Sequence, residues 1–121
     1  MEGVELPAPW IDSYQFGSIV IDGRVYRKDV IVTPDGVIPD WWRERGHSLS
    51  MDDLSEGLES QPEQLIVGTG RYSCMKVPEE TQSALLSSGI KVHILAIDEA
   101  CERYNAQVHR GRLVAALHLT C

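Results

Sequence analysis

The most suggestive chemistry in this sequence lies in a glycine-containing segment that follows a predicted strand. Ile66-Val67-Gly68-Thr69-Gly70 runs into Arg71, and Lys76 adds a second cation. A strand that ends in glycines can present consecutive backbone N–H groups as an anion-binding nest. Open α/β sheets bind ligands beyond the carboxyl ends of their parallel strands, where we expect this loop. The candidate ligand-binding or anion-binding residues are therefore Gly68, Thr69, Gly70, Arg71, Lys76 and, after the next predicted strand, Asp98.

The same segment imitates the dinucleotide-binding fingerprint Gly-x-Gly-x-x-Gly but departs from it. Ser73 stands where the third glycine would be, and the next predicted helix opens well after Gly70. A helix N-terminus and a phosphate would therefore not coincide as the fingerprint requires. We expect no nucleotide or other cofactor. The alternative explanation of the glycines is structural, since a tight bend and close backbone packing also require them.

A second candidate is the aromatic segment Pro39-Asp40-Trp41-Trp42-Arg43. Adjacent side chains of an extended segment point to opposite sides, so both tryptophans cannot easily enter one core. One of them is expected near the surface, and Trp and Arg are enriched among the residues that dominate binding at interfaces. Trp41, Trp42 and Arg43 thus form a candidate partner surface. The alternative is a lid in which Trp41 or Trp42 closes one end of the fold.

The cysteines and histidines give weaker evidence for a nucleophile or a metal site than the two segments above give for binding. The sequence assigns no catalytic residue. Cys74 is the candidate reactive thiol, because it lies in a predicted loop beside cations, which lower a thiol pKa; a chance loop cysteine is the alternative. Cys101 falls on a predicted core-facing helix stripe and is expected to be inert. His93 and His118 lie on strands that could be neighbours in the sheet, but no histidine pair has metal-ligand spacing. We therefore expect no metal site.

The length, net charge and cysteine content of the chain limit the classes of protein to which it can belong. The chain of 121 residues fits a single domain, 1–121, in which residues 1–10 are expected to be extended or poorly ordered. A net charge of −7 disfavours binding to nucleic acid and to anionic membranes. Three widely spaced cysteines are not a secreted disulfide framework, and the N-terminus has no signal-peptide pattern. We expect a cytoplasmic protein that is not bound to a membrane.

Asp-Gly turns organise the first half of the chain. Asp22-Gly23 separates the β-rich residues 18–21 from the next short run, and type I′ hairpin turns favour this dipeptide because both central residues need positive φ. Residues 34–36, Pro-Asp-Gly, repeat the pattern after residues 30–33. Residues 14–38 are therefore predicted to form an antiparallel meander of short strands.

The second half follows a different period. Met51, Leu54 and Leu58 predict a short helix, capped by Ser48 or Ser50. After it we predict strand 64–67, a helix from Pro78 to Gly89 and strand 91–96. A further helix, capped by Asp98, and strand 113–119 follow. One face of that helix is expected to be buried, with the residues Ile97, Cys101, Tyr104 and Val108. The βαβαβ part predicts parallel strands with right-handed crossovers. The expected fold is a compact mixed α/β sandwich, with an N-terminal hairpin meander and helices layered on the sheet.

Several segments, in this order, resemble one small family of single-domain proteins. They are Phe16 to Gly23, Asp29 to Val32, Pro34-Asp35-Gly36, Ile66 to Gly70, Arg103-Tyr104-Asn105 and Ala115 to Cys121. The family includes the adipogenesis-associated domain-containing protein and the complex I assembly factor three of mitochondria. The resemblance implies β-sheets with a helical layer on one side. The resemblance implies no enzymatic reaction, and the best-known relatives act through protein contacts.

Together these patterns favour a non-catalytic protein-interaction or assembly module, monomeric or homodimeric, with a protein partner that the sequence does not identify. The alternative is a small-anion or small-molecule binding protein, or an enzyme, with its site in the loop from Gly68 to Lys76.

Overall fold

The computed structural model describes residues 7–121. Eight strands and two α-helices occur in this part of the chain: β1 (Ile11–Gln15), β2 (Ser18–Ile21), β3 (Arg24–Tyr26), β4 (Val30–Thr33), β5 (Gly36–Ile38), β6 (Gln64–Gly68), α1 (Glu79–Ser87), β7 (Lys91–Leu95), α2 (Ile97–Gln107) and β8 (Leu113–Leu117). Two short 3₁₀ helices, Asp52–Leu54 and Gly57–Ser60, lie between β5 and β6.

The strands form two sheets. An antiparallel three-stranded sheet has the order β1-β2-β3, and a five-stranded sheet has the order β5-β4-β8-β6-β7. In the larger sheet β6 is parallel to both β7 and β8, whereas β4 is antiparallel to β8 and β5. The mixed α/β class and the parallel βαβαβ unit are therefore confirmed.

Residues 14–38 form short antiparallel strands as predicted, but these strands are divided between the two sheets. The first hairpin forms as expected, with Asp22 at φ 49° and Gly23 at φ 81°. After β3, however, the chain leaves the small sheet and β4 enters the large one between β5 and β8. The physical reason is burial: all four residues of β4 are buried, and only an interior position of a sheet covered on both faces provides that environment.

Both faces of the five-stranded sheet are covered. On one face α2 packs between the two sheets, and its predicted stripe of Ile97, Cys101, Tyr104 and Val108 is buried, as expected. On the other face α1 and the 3₁₀ segment pack over Leu65, Val67, Val114 and Ala116. The helical layers therefore lie on both sides of the large sheet, and not on one side alone.

The helix ends differ from the sequence expectations in small ways. Ala96 is the N-cap of α2, so Asp98 lies in the first turn, where its charge still favours the helix dipole. The helix predicted after Ser50 is two 3₁₀ turns, because buried Gly57 packs directly on β4. A Cβ at this glycine would lie 2.8 Å from Ile31 Cγ2.

The N-terminal segment falls partly outside the described residues. Residues 1–6 lie outside them, and residues 7–10 have no regular secondary structure. The carbonyl of Pro9 accepts a hydrogen bond of 2.7 Å from the Tyr104 hydroxyl. Within residues 7–121, neither helix is long and apolar enough to cross a bilayer.

The contact at Gly57 gives a stability prediction. Gly57→Ala forces a methyl group against Ile31, and overpacking of this kind costs about 1–3 kcal/mol of the free energy of unfolding. The matched control is Gly46→Ala, since a Cβ at Gly46 meets nothing within 4 Å. Urea denaturation measures both variants. Equal stability of the two variants would contradict the packing seen at Gly57.

Candidate functional site

The corner that carries the two tryptophans is anchored on one carboxylate, that of Asp29. Asp29 precedes β4 and His118 follows β8, and the antiparallel register that pairs Val30 with Leu117 places these two side chains together. Asp29 Oδ2 lies 2.8 Å from His118 Nδ1. Asp29 Oδ1 accepts the backbone N–H of Leu119 at 2.8 Å. The carboxylate therefore ties the start of β4 to the chain beyond β8.

Arg43 completes this cluster from the aromatic segment. Its Nη1 lies 2.9 Å from Asp29 Oδ2 as an ion pair, and its Nε donates to the Gly46 carbonyl at 3.0 Å. Its guanidinium stacks over the Trp41 ring, 4.6 Å from the centroid. Arg43 is only 7% exposed. The expectation that Arg43 belongs to a partner surface is therefore wrong, because its charge is satisfied inside the protein.

The charges around Asp29 favour its ionised form. Burial raises the pKa of Asp29, but its hydrogen bonds from His118 and the Leu119 N–H oppose this, as do the charges of His118 and Arg43. The balance holds the pKa below the ordinary value of 3.8. The cluster thus contains a carboxylate that is charged at neutral pH.

The Asp29–His118 pair resembles the orienting half of a catalytic dyad, but its free nitrogen is enclosed. His118 is 5% exposed, and its Nε2 is buried with no hydrogen-bond partner among the described residues. The ring of His47 packs edge-on against it, with centroids 5.6 Å apart. Arg43 Nη2 also lies 3.1 Å from Nδ1 of His118. In this structure His118 Nε2 is enclosed, and the pair links the start of β4 to the chain beyond β8.

The two tryptophans separate as the sequence predicts. The Trp41 N–H donates to the Asp29 carbonyl at 2.8 Å, and Trp41 Nε1 donates to the Asp53 carbonyl, also at 2.8 Å. Trp41 is 8% exposed, whereas Trp42 is 76% exposed. Trp41 is therefore part of the core, and the partner-surface prediction is wrong for it. Trp42 is the member of the predicted surface that reaches solvent.

Beside Trp42 lies a cleft of about 440 Å³ between the end of β5 and the 3₁₀ segment. Trp41 and Trp42 supply its aromatic wall, and Ile31 and Ile38 supply apolar contacts. Five carboxylates line it, and among the described residues the lining includes no Lys, Arg or His; the acids are Asp40, Glu44, Asp52, Asp53 and Glu56. The cleft therefore combines an exposed aromatic ring with an acidic lining.

The glycine loop is closed on itself. Of its backbone N–H groups, Thr69 donates to Leu95, Arg71 to Thr120 and Cys74 to Cys121. The Thr69 hydroxyl donates to the Leu95 carbonyl as well. Gly70 is needed for packing, because a Cβ there would lie 2.6 Å from the Cys121 carbonyl oxygen. These backbone N–H groups donate hydrogen bonds within the protein, which agrees with the structural explanation of the glycines.

Two of the charged residues predicted for that loop site, Lys76 and Asp98, line different cavities. Lys76 and Thr69 line a cleft of about 230 Å³ together with Ser73. Asp98 lines another cavity, of about 260 Å³, beside Tyr14. Lys76 and Asp98 are therefore not gathered around one cavity.

The cysteines and histidines have mainly structural environments. Burial raises the pKa of Cys101 to about 12, and the charges of Asp98 and Glu102 add to this, which keeps the thiol protonated. Cys74 is half-buried, and its reactivity stays a prediction. His93 and His118 are not on neighbouring strands as expected, because β6 lies between β7 and β8. Within residues 7–121, no three His, Cys, Asp or Glu residues are grouped closely enough to hold a metal ion.

Sequence reasoning missed the Asp29–Arg43–His118 cluster and the cleft. The available signal was the placement of Asp29 directly before an apolar strand and of His118 directly after another. It becomes informative only when the antiparallel pairing of β4 with β8 is known. Nothing in the local pattern predicts that pairing.

The cluster predicts a pH dependence of stability. Because the folded-state pKa of Asp29 is lowered, its contribution is complete above the ordinary value near 3.8 and is lost as the pH falls through the lower folded value. Asp29→Asn should cost about 3 kcal/mol at pH 7, since it leaves Arg43 buried without its counter-charge. Its loss of stability between pH 5 and about pH 2 should be smaller than that of the wild type. Urea unfolding across this range measures both effects.

The control for this experiment is Asp35→Asn, which removes an exposed carboxylate from the β4–β5 turn. It should leave both the stability at pH 7 and the acid sensitivity close to those of the wild type. Parallel pH profiles for the wild type and Asp29→Asn would contradict the role assigned to the cluster.

Solved structures with the same fold support the architecture. A conserved hypothetical protein from Pyrococcus horikoshii OT3 is 24% identical, with a TM-score of 0.78, over 92% of this chain and 98% of that one. A Bordetella parapertussis protein is 24% identical, with a TM-score of 0.80, over 94% and 98%. A Bordetella pertussis protein described as an Mth938-like domain is 23% identical, with a TM-score of 0.74, over 98% and 92%.

The family follows from the sequence match. Residues 11–119 match the family described as "Protein of unknown function (DUF498/DUF598)". This match spans both sheets and both α-helices. The relation to the adipogenesis-associated and complex I assembly proteins stays a prediction. The chain belongs to the DUF498/DUF598 family and has the Mth938-like fold.

Proposed function

We propose that this protein is a non-catalytic protein-interaction module that binds a basic segment of a partner at the cleft beside Trp42. The observation that carries the proposal is the exposed ring of Trp42, at 76% exposure, on a cleft lined by five carboxylates. Tryptophan is enriched among the residues that dominate binding at interfaces, and here it borders a cleft instead of standing alone on the surface. The acidic lining selects the sign of the partner's charge.

The chemistry of the cleft suits lysine and arginine side chains. A cation over an indole face gains about 0.5–1 kcal/mol at an exposed site and more when it is desolvated. The surrounding carboxylates can pair with the same cation, and an arginine can use its planar fork for two such bonds. The net charge of −7 also steers positively charged partners toward the protein.

The corner is preorganised for this role. Asp53 uses its carboxylate to accept the backbone N–H groups of Glu44 and Ser50, at 3.2 and 3.0 Å, and its carbonyl to accept Trp41 Nε1. The Arg43 guanidinium stacks over the Trp41 ring. Rigid walls lower the entropy that binding must spend on ordering them.

A second candidate is the small-anion site at the glycine loop. The observation in its favour is the cleft that exposed Lys76 and Ser73 both line. The Lys76 ammonium and the Ser73 hydroxyl could bind a small oxyanion there. Its support is weaker, because the loop amides are already used internally. It would bind inorganic phosphate, and this binding would be lost in Lys76→Ala.

The partner proposal predicts which variant loses binding. Fluorescence anisotropy would be measured with labelled peptides rich in arginine and lysine, and with acidic peptides of equal length. The wild type should prefer the basic peptides, and Trp42→Ala should weaken that binding about tenfold or more, the scale of hot-spot truncations. The affinity should fall as salt is raised, because charges carry part of it.

The matched control is Tyr72→Ala, which removes another aromatic side chain of similar exposure, 73%, away from the cleft. It should bind the basic peptides as the wild type does. Equal affinity for basic and acidic peptides, or an equal loss in both variants, would reject the cleft as the docking site. Phosphate-dependent stabilisation that is lost in Lys76→Ala would instead favour the second candidate.

A further inference from the structure

The fold brings two cysteines together that lie far apart in the sequence. Cys74 is in the loop between β6 and α1, and Cys121 follows β8. The Cys74 N–H donates to the Cys121 carbonyl at 3.0 Å. Beside this bond, the Arg71 N–H donates to the Thr120 carbonyl at 2.7 Å. The β6–α1 loop therefore lies directly against the chain after β8, with a thiol on each side of the contact.

Gly70 and Ser73 give the loop the backbone shape that this contact needs. The Ser73 N–H donates to the Gly70 carbonyl at 3.3 Å, and Ser73 has φ 56°, so the loop turns tightly just before Cys74. Gly70 has φ 99°, and a Cβ there would lie 2.6 Å from the Cys121 carbonyl oxygen. A glycine at this position thus allows the close approach that places Cys121 beside Cys74.

Standard bond lengths limit the distance between the two Cα atoms. An N–Cα bond is about 1.46 Å long, and a carbonyl oxygen lies about 2.4 Å from the Cα of its own residue. Together with the hydrogen bond of 3.0 Å, these lengths allow a Cα···Cα distance of at most about 6.9 Å. That limit applies only if the links are collinear. Disulfides usually span about 4.4–6.8 Å between Cα atoms, so the backbone already has the spacing of a cross-link.

We propose that Cys74 and Cys121 form a reversible intramolecular disulfide that fastens the β6–α1 loop to the chain after β8. Both thiols are free in this structure, and both residues are half-buried. Closing the bond requires rotation of the side chains between staggered positions, while the backbone hydrogen bond stays in place. Cys101 takes no part, because it is buried and its pKa is raised to about 12, which keeps its thiol protonated and unreactive.

The oxidant in this proposal is a hydroperoxide, and hydrogen peroxide is the probe. One thiol loses its proton and its sulfur attacks a peroxide oxygen. The O–O bond breaks, water leaves with that proton, and a sulfenic acid forms. The second sulfur then attacks the sulfenic sulfur, so that the S–S bond forms, the S–O bond breaks and a second water leaves with the second thiol's proton. Each sulfur loses one electron, and the peroxide is reduced to two waters.

A pair of this kind responds to changes in redox conditions. Where glutathione and thioredoxin keep thiols reduced, disulfides are transient and serve in catalysis or redox sensing. We therefore expect the reduced form at rest and the cross-linked form during exposure to peroxide.

The test counts the free thiols of the full chain after reduction, removal of the reductant and treatment with hydrogen peroxide. The protein is then denatured and alkylated with N-ethylmaleimide, and its intact mass is measured. The untreated wild type should carry an alkyl group on every cysteine, and the oxidised wild type on Cys101 alone. Peptide mapping without reductant should find Cys74 linked to Cys121 within one chain. Dithiothreitol should restore all the thiols.

Single variants separate this pair from other thiol chemistry. Cys74→Ser and Cys121→Ser should each form no intramolecular disulfide. The matched control is Cys101→Ala, which should form the cross-link to the same extent as the wild type. A second control needs no variant: when the wild type is oxidised in guanidinium chloride, the preference for the Cys74–Cys121 link should be lost, because the fold no longer brings these residues together.

Oxidation should also raise the Tm of the wild type, by on the order of 10 °C, because the cross-link constrains the unfolded chain. Neither serine variant should show this rise. Thiols that stay free, thiols lost without a cross-link, a link through Cys101, a disulfide-linked dimer, or an equal Tm before and after oxidation would each overturn the proposal. None of these measurements involves the cleft beside Trp42, so the docking proposal is tested separately.

Discussion

The carboxylate of Asp29 is the contact on which the arrangement of the corner depends. It joins three segments that are far apart in sequence: the start of β4, the aromatic segment through Arg43, and the chain beyond β8 through His118 and Leu119. A buried ion pair adds little net stability compared with apolar packing, but removing one partner is costly. Its effect is to fix geometry. Arg43, held by Asp29, stacks over the Trp41 ring, and the Trp41 Nε1 donates to Asp53 in the 3₁₀ segment.

The exposed position of Trp42 follows from that geometry. In an extended segment the side chain next to a buried one must point away from the core. Trp41 is held by its backbone bond to the Asp29 carbonyl and by its indole bond to the Asp53 carbonyl. Turning Trp42 inward would break both bonds and would leave Arg43 without its aromatic neighbour. The acidic cleft is thus bordered by an aromatic ring that the core keeps in solvent.

The sequence predicts elements better than it predicts their partners. The Asp22-Gly23 hairpin, the stripe on α2 and the parallel βαβαβ unit all have local signals: turn chemistry, 3.6-residue spacing and alternating element types. The pairing of β4 with β8 has no local signal, because the two strands are about 80 residues apart and every residue of both strands is buried. That pairing builds the Asp29 cluster. The alternation of Trp41 and Trp42 was therefore predictable, while the burial of Arg43 was not.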